Sequence, residues 1–331
     1  MKRYAIIGFG ALGKLHLASL LELERMGADI QLVALCGADP GELRSKIKIN
    51  IGEIDLGDFD FSNCHFYTDY RELIEIEKPD FVISALPTYL HSEFAIFALD
   101  RGIDVFSEKP MALTLADCDA MIKAKNKSGA MLMIGQCLRF DHAFKKVKEY
   151  VTTGCFGKLY RAEFSRYSKL PTWTWNNWIL DPKLSGGCIL DMHIHDVDLA
   201  NWMFGEPKQI NAVMTEKRAE RESVFAHYIY DDFLVICEAD WSMPDAYPFK
   251  AKAQFNFESA CVTVYDGELT IYTDGGMTRP ELPKTTCYEE EIKAFLRSVI
   301  TREEPKESTA ESVRQSIALA FREIESAGGN K

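Results

Sequence analysis

The 9 cysteines include no Cys-x-x-Cys pair, and their number is odd. Scattered thiols of this kind fit a reducing cytosol better than a disulfide framework. Positive charge is also short: 38 Lys and Arg stand against 50 Asp and Glu, for a formal net charge of −12. That balance argues against nucleic acid or an anionic membrane as the main partner, although a small anion needs only a local site. No apolar run approaches the roughly 20 residues of a membrane span. The opening Met1–Gly8 is basic, but its apolar run is too short for a secretory leader. There is no internal repeat and no low-complexity segment. The expectation is a soluble cytoplasmic protein. The composition is ordinary for a globular chain, 47% apolar and 27% charged, and 331 residues leave room for two domains.

The chain turns on Val105-Phe106-Ser107-Glu108-Lys109-Pro110. Val105 and Phe106 suit a buried strand. Glu108 and Lys109 then fall at its carboxyl end, where open α/β sheets bind ligands. Pro110 lacks an N–H and stops the ladder. The residues N-terminal to this stretch have the pattern of a nucleotide-binding half. The residues C-terminal to it have that of a substrate half. Lys109 is expected to serve both.

The first half opens with an apolar strand, Tyr4–Ile7, and then Gly8-Phe9-Gly10-Ala11-Leu12-Gly13. This is G-x-G-x-x-G between a strand and an amphipathic helix, the context the motif requires. Gly8 allows the tight turn, Gly10 the approach of a diphosphate, and Gly13 close packing of helix on strand. The diphosphate would rest on free N–H groups at the helix start. The plain alternative is a glycine turn that binds nothing. At the end of the second strand, Ile30–Cys36, an acid often bonds the adenosine ribose. Here Gly37 occupies that place and Asp39 follows. Asp39 curling back to the ribose favours NAD. A gap at Gly37 with Arg44 nearby favours NADP. Asp39-Pro40-Gly41 as a mere turn is the third reading. Residues 50–63 read as a surface excursion. A fourth strand ends at Leu86 and Pro87, beside the cofactor. His91 starts the next helix, either bonding a ribose or phosphate or lying as a polar surface group. The apolar strands alternate with helices, which predicts a parallel sheet covered on both faces. The dinucleotide domain is placed at residues 1–138.

Residues 139–331 carry alternating strands with hairpin turns at Asp231-Asp232 and Asp266-Gly267 and an amphipathic helical tail. The expectation is an α+β domain on an open, mostly antiparallel sheet. Trp173-Thr174-Trp175-Asn176-Asn177-Trp178 is either a packed loop or a wall of flat faces and amides for a polyol or nicotinamide. The segment Gly186-Gly187 to Asp198 reads as glycines followed by a helix. Asp191, His195 and Asp198 then lie at i, i+4 and i+7 on one face. A carboxylate one turn from an imidazole fixes its tautomer and raises its basicity. A zinc site from Asp191, His193, His195 and Asp196 is the poorer idea, because His193 and His195 do not share a face, and no metal is expected. A buried helix with a satisfied histidine is the plain alternative.

Gly8-x-Gly10-x-x-Gly13, Glu108-Lys109-Pro110, Arg139-Phe140 and Gly186-Gly187 to Asp191-x-x-x-His195-Asp196-x-Asp198 occur in order, and over nearly its whole length the chain resembles the Gfo/Idh/MocA oxidoreductases. The resemblance implies a Rossmann domain, an oligomer (dimer or tetramer) built through the second sheet, and hydride transfer between a sugar or polyol and NAD or NADP. By the same resemblance Lys109 holds the reacting hydroxyl, His195 is the general base, Asp191 is its partner, and Glu108 and Pro87 lie near the nicotinamide ribose. Arg139, Asn177 and Trp178 are candidates for orienting substrate. The Lys109-Pro110 bond is often cis in this family. Three departures stand out: His193 where glycine is common, which hints at an altered substrate pocket; no acid at Gly37; and a long 50–63 segment. Two other readings come with the family: an NAD-dependent glycosidase that oxidises transiently, and a non-catalytic redox sensor.

Overall fold

The computed structural model describes residues 1–328 except 45, 46, 50, 51, 55, 58 and 173, and leaves out the side chains of residues 42, 44, 47–49 and 52–54. The chain forms two compact units. One comprises Met1–Cys137 with Tyr288–Glu311, the other Leu138–Cys287 with Ser312–Lys331.

The first unit begins with β1 (Lys2–Ile7), α1 (Ala11–Arg25) and β2 (Ile30–Cys36), followed by a short antiparallel hairpin, β3 (Ile47–Ile49) and β4 (Gly52–Ile54). It continues with β5 (His65–Tyr67), α2 (Tyr70–Glu77), β6 (Phe81–Ser84), α3 (His91–Leu99), β7 (Asp104–Glu108), α4 (Leu115–Ser128) and β8 (Leu132–Gly135). Six of these strands form a parallel sheet in the order β5-β2-β1-β6-β7-β8. The order reverses between β1 and β6, and the carboxyl ends of strands at such a switch point are where ligands bind. The apolar runs predicted as covered strands are covered: Tyr4–Ile7, Phe81–Ile83 and Val105–Phe106 have no exposed surface. Tyr4 stacks on Phe81 across β1 and β6 at 5.3 Å. Asp69 and Thr114 cap α2 and α4, accepting from the N–H groups of Arg71 and Asp117.

One feature differs from the sequence reading. The 50–63 segment, expected as a plain excursion, includes strand β4 of the hairpin and a 3₁₀ turn at Phe61–Asn63 capped by Asp60. β7 runs to Glu108, which pairs with Gly135 of β8, as expected of a strand with Glu108 at its carboxyl end. Glu108 is therefore held within the sheet.

The second unit contains α5 (His142–Thr153), β9 (Leu159–Lys169), α6 (Pro182–Ser185), α7 (Gly187–Asp191) and α8 (Ile194–Phe204). Strands β10 (Gln209–Thr215), β11 (Ser223–Ile229), β12 (Leu234–Met243), β13 (Lys250–Phe257), β14 (Cys261–Tyr265), β15 (Glu268–Thr273) and β16 (Gly276–Thr278) come next. They join β9 in one sheet, ordered β10-β11-β12-β9-β13-β14-β15-β16. Only the β9–β12 pairing is parallel. Ala162, Phe164, Val235, Cys237, Ala253 and Phe255 are buried and alternate along their strands with residues of greater exposure, as a sheet with one covered face requires.

Two helices end the chain, α9 (Cys287–Thr301) and α10 (Ala310–Ser326). Ile292, Phe295, Leu296 and Val299 form the buried stripe of α9, and Phe295 packs edge-on against Phe81 and Phe106. Those contacts draw Tyr288–Glu311 into the first unit, whereas a division by sequence order places all of 139–331 together.

Candidate functional site

The glycine turn of the first unit is tied to β2: the N–H groups of Gly8 and Phe9 both donate to the Cys36 carbonyl, at 2.9 and 3.1 Å. Gly8 has φ +89°, and a Cβ there would lie 2.4 Å from the Ala85 carbonyl oxygen. A Cβ on Gly13 would lie 2.2 Å from the Gly8 carbonyl oxygen. Both positions require glycine for packing. Gly10 differs, since a Cβ there meets nothing within 4 Å. Gly10 is also the N-cap of α1 and supplies no side chain to its free N–H groups. Open space in front of uncapped N–H groups fits an anionic diphosphate. Phe9 is buried beneath this turn, and Ala11 and Leu12 form the half-buried first turn of α1.

Gly37 leaves little room for an acid: a Cβ would approach the Phe66 ring at 3.2 Å and Phe9 Cβ at 3.3 Å. Asp39 is exposed, and its Oδ1 accepts from the Gly41 N–H at 2.7 Å, the geometry of the plain turn. The Arg44 side chain lies outside the described residues. Leu86 and Pro87 lie just after β6 and are half-buried.

His91 corrects both readings offered for it. It is buried, with Nδ1 2.7 Å from the Pro110 carbonyl oxygen and Nε2 2.8 Å from that of Leu86. It is neither a surface group nor open to a ribose. It ties the segment after β6 to the Glu-Lys-Pro segment. Burial pushes its pKa down, against the pull of the two carbonyls and Glu108.

Glu108 is buried, and each carboxylate oxygen has a protein partner. Oε1 lies 2.6 Å from His16 Nε2, and Oε2 accepts from the Lys109 N–H at 3.0 Å. Burial alone would raise its pKa, but the His16 bond and the Lys109 charge hold it below the usual carboxylate range. Lys109 is half-buried, and the Lys109-Pro110 bond is cis.

In the second unit the helix expected after the glycines is broken. Gly186 and Gly187 have φ of 81° and 71°, α7 ends at Asp191, and α8 starts at Ile194 beyond a turn at Met192-His193. Asp191, His195 and Asp198 therefore do not lie along one continuous helix. Asp198 is buried and accepts both Nε and Nη2 of Arg139, at 2.7 and 2.6 Å. Arg139 is 1% exposed and also donates to Ser312. It is part of the unit's core, which overturns its expected place on the substrate. His193 is likewise internal: Nε2 lies 3.1 Å from Glu323 Oε1, which also accepts from the Tyr228 hydroxyl at 2.7 Å. The hint that it alters a substrate pocket is not met. Asp196 binds Arg166 at 2.9 Å, so two of the four residues weighed for zinc are committed elsewhere. Asp191 and His195 retain partial solvent access. In the tryptophan segment, Asn176 and Asn177 have φ of 51° and 50°, Trp175 and Asn177 are exposed, and Trp178 is half-buried. Trp173 lies outside the described residues.

Two residues of the first unit escaped the sequence reading. His16 and Glu291 are both fully buried, and with Glu108 they bring three potential ligand atoms within 4.8 Å of one another. The only signal for Glu291 is an acid on the apolar stripe of an amphipathic helix.

Among the described residues no helix is long and apolar enough to cross a membrane. Comparison with known proteins agrees with the geometry of each unit. Residues 2–136 match the GFO_IDH_MocA model, described as the oxidoreductase family with an NAD-binding Rossmann fold, and residues 144–279 match the GFO/IDH/MocA C-terminal domain. A myo-inositol 2-dehydrogenase of Thermotoga maritima is 35% identical over 62% of this chain and 55% of its own length. A 2,7-anhydro-N-acetylneuraminate hydratase of Mediterraneibacter gnavus is 31% identical over 61% of this chain and 49% of its own. The chain thus spans about half the length of these two relatives. A levoglucosan dehydrogenase solved with NADH and levoglucosan shares the fold at TM-score 0.81 and 17% identity, covering 100% of this chain and 98% of the other.

Proposed function

Since this chain belongs to the GFO/IDH/MocA oxidoreductase family, whose first domain is an NAD-binding Rossmann fold, we propose that it transfers a hydride between nicotinamide and a carbinol carbon of a sugar or polyol. When bound, the nicotinamide supplies the hydride acceptor. His195 removes the hydroxyl proton, Asp191 supports its imidazole, and Lys109 stabilises the developing alkoxide. Asn177 and Trp178 orient the substrate. The observation that carries this reading is selective access: His193, Asp196 and Asp198 are buried in pairs, while Asp191, His195 and Lys109 retain access to solvent.

The test has two steps. Fluorescence titration with NADH and NADPH comes first, then turnover on a polyol and sugar panel headed by myo-inositol. Preference for NADH favours catabolic oxidation; preference for NADPH favours reduction. Binding of neither overturns the reading. The relative named as a hydratase favours a second reading, in which nicotinamide is reoxidised within each turnover. Product formation with no net change in nicotinamide absorbance selects it. The protein is further proposed to act in the cytoplasm as a homodimer or homotetramer built on the eight-stranded sheet, which sedimentation velocity tests for the oligomer.

A further inference from the structure

Glu291 has no exposed surface, and neither of its carboxyl oxygens has a hydrogen-bond partner. An ionised carboxylate buried without a donor carries the penalty of an unpaired buried charge. The surroundings make it worse. From α1 comes His16, from β7 Glu108, and after β8 Cys137; Lys109, next after Glu108, donates its N–H to the Glu108 carboxylate. The rings of Phe106 and Tyr288 lie against the His16 imidazole.

Counting donors places the protons. Glu108 receives one at each oxygen, from His16 Nε2 and from the Lys109 N–H, and so is served as an ionised carboxylate. His16 Nδ1 has no partner. His16 Nε2 is the donor in its bond to Glu108, because an ionised carboxylate can only accept. Glu291 lies with a ligand atom within 4.8 Å of the ionised Glu108 and, among the described residues, has no hydrogen-bond donor of its own. Two carboxylates so placed do not both ionise. Burial, with Cys137 and the Glu108 charge adding to it, pushes the Glu291 pKa well above the carboxylate range.

We propose that His16, Glu108 and Glu291 form a buried proton-binding site in the first unit, with the proton resident on Glu291, and that Glu291 is thereby a positioning residue for Glu108 and the Lys109 backbone it holds. The proton site stands on geometry alone. Its link to turnover rests on the role given to Lys109 above.

Infrared spectroscopy of the full-length protein, without cofactor or substrate, tests the site. At neutral pH the wild type is expected to show the carbonyl stretch of a protonated carboxylic acid, shifted in D2O and absent from Glu291→Gln. Thermal melting gives a second readout. A folded pKa above the unfolded value of about 4.3 stabilises below that value and loses the contribution as pH rises through the folded pKa. Glu291→Gln should therefore gain in melting temperature over wild type as pH rises. No acid band in wild type overturns the proposal, as does a pH-independent gap in melting temperature. So does a stoichiometric divalent ion, found by elemental analysis and lost in Glu291→Gln. For positioning, Glu291→Met should lower kcat about tenfold or more with NADH affinity within a few-fold, and Glu291→Gln should restore it. A wild type that shows the acid band but turns over no substrate contradicts the functional reading and leaves the proton site standing.

Discussion

Arg139 and Asp198 face each other as a fork on a fork, Nε and Nη2 each donating to one carboxylate oxygen, and both side chains are 1% exposed. Breaking a buried pair leaves an uncompensated charge and costs about 3–5 kcal/mol. Arg139→Met should therefore lower the unfolding free energy, measured by urea denaturation, by an amount in that range. Arg139→Lys should also lose stability, because lysine cannot reproduce the fork. A folded Arg139→Met with wild-type stability and a raised KM would return Arg139 to the substrate.

The two glycines flanking Gly10 make different demands from Gly10 itself. Gly13→Ala sets a methyl 2.2 Å from a backbone carbonyl and should compromise folding, read as lost thermal cooperativity. Gly10→Ala meets nothing within 4 Å and should fold, while NADH affinity falls at least about tenfold, or about 1.4 kcal/mol. Unchanged affinity in folded Gly10→Ala would place the diphosphate elsewhere.

His193 sets a pH dependence in the second unit. Burial lowers its pKa, but the Glu323 carboxylate outweighs burial, with Asp196 adding to it, and the pKa is raised. A raised folded pKa stabilises below the unfolded value of about 6.5, and the contribution is lost as pH rises through the folded value. Denaturant midpoints should fall as pH is raised through this window, and His193→Gln should flatten the curve. A wild-type midpoint that rises over the same window would show that Glu323 does not hold the charge.

The parts legible in sequence were local. Gly8-Phe9-Gly10-Ala11-Leu12-Gly13 announced its turn because strand, turn and helix are contiguous, and the apolar runs of β1, β6 and β7 announced a covered parallel sheet. Long-range pairs left no such mark. Arg139 and Asp198 are 59 positions apart, so a basic residue looked available when the fold had already claimed it. His91 looked like a surface helix start because nothing in sequence shows the Pro110 carbonyl waiting for it. The break at Met192-His193 was hidden because its residues keep the helical spacing of apolar groups. Glu291 needed the packing of α9 on the first sheet to be seen at all.

The central claim, that Lys109 and His195 carry hydride chemistry on a nicotinamide, is tested most directly by one paired measurement. For His195→Ala and wild type, kcat on the best substrate of the panel and NADH affinity are determined together. The expected result is a fall in kcat of about 10²–10⁴-fold with NADH affinity unchanged within a few-fold. Turnover at the wild-type rate in His195→Ala would contradict the claim.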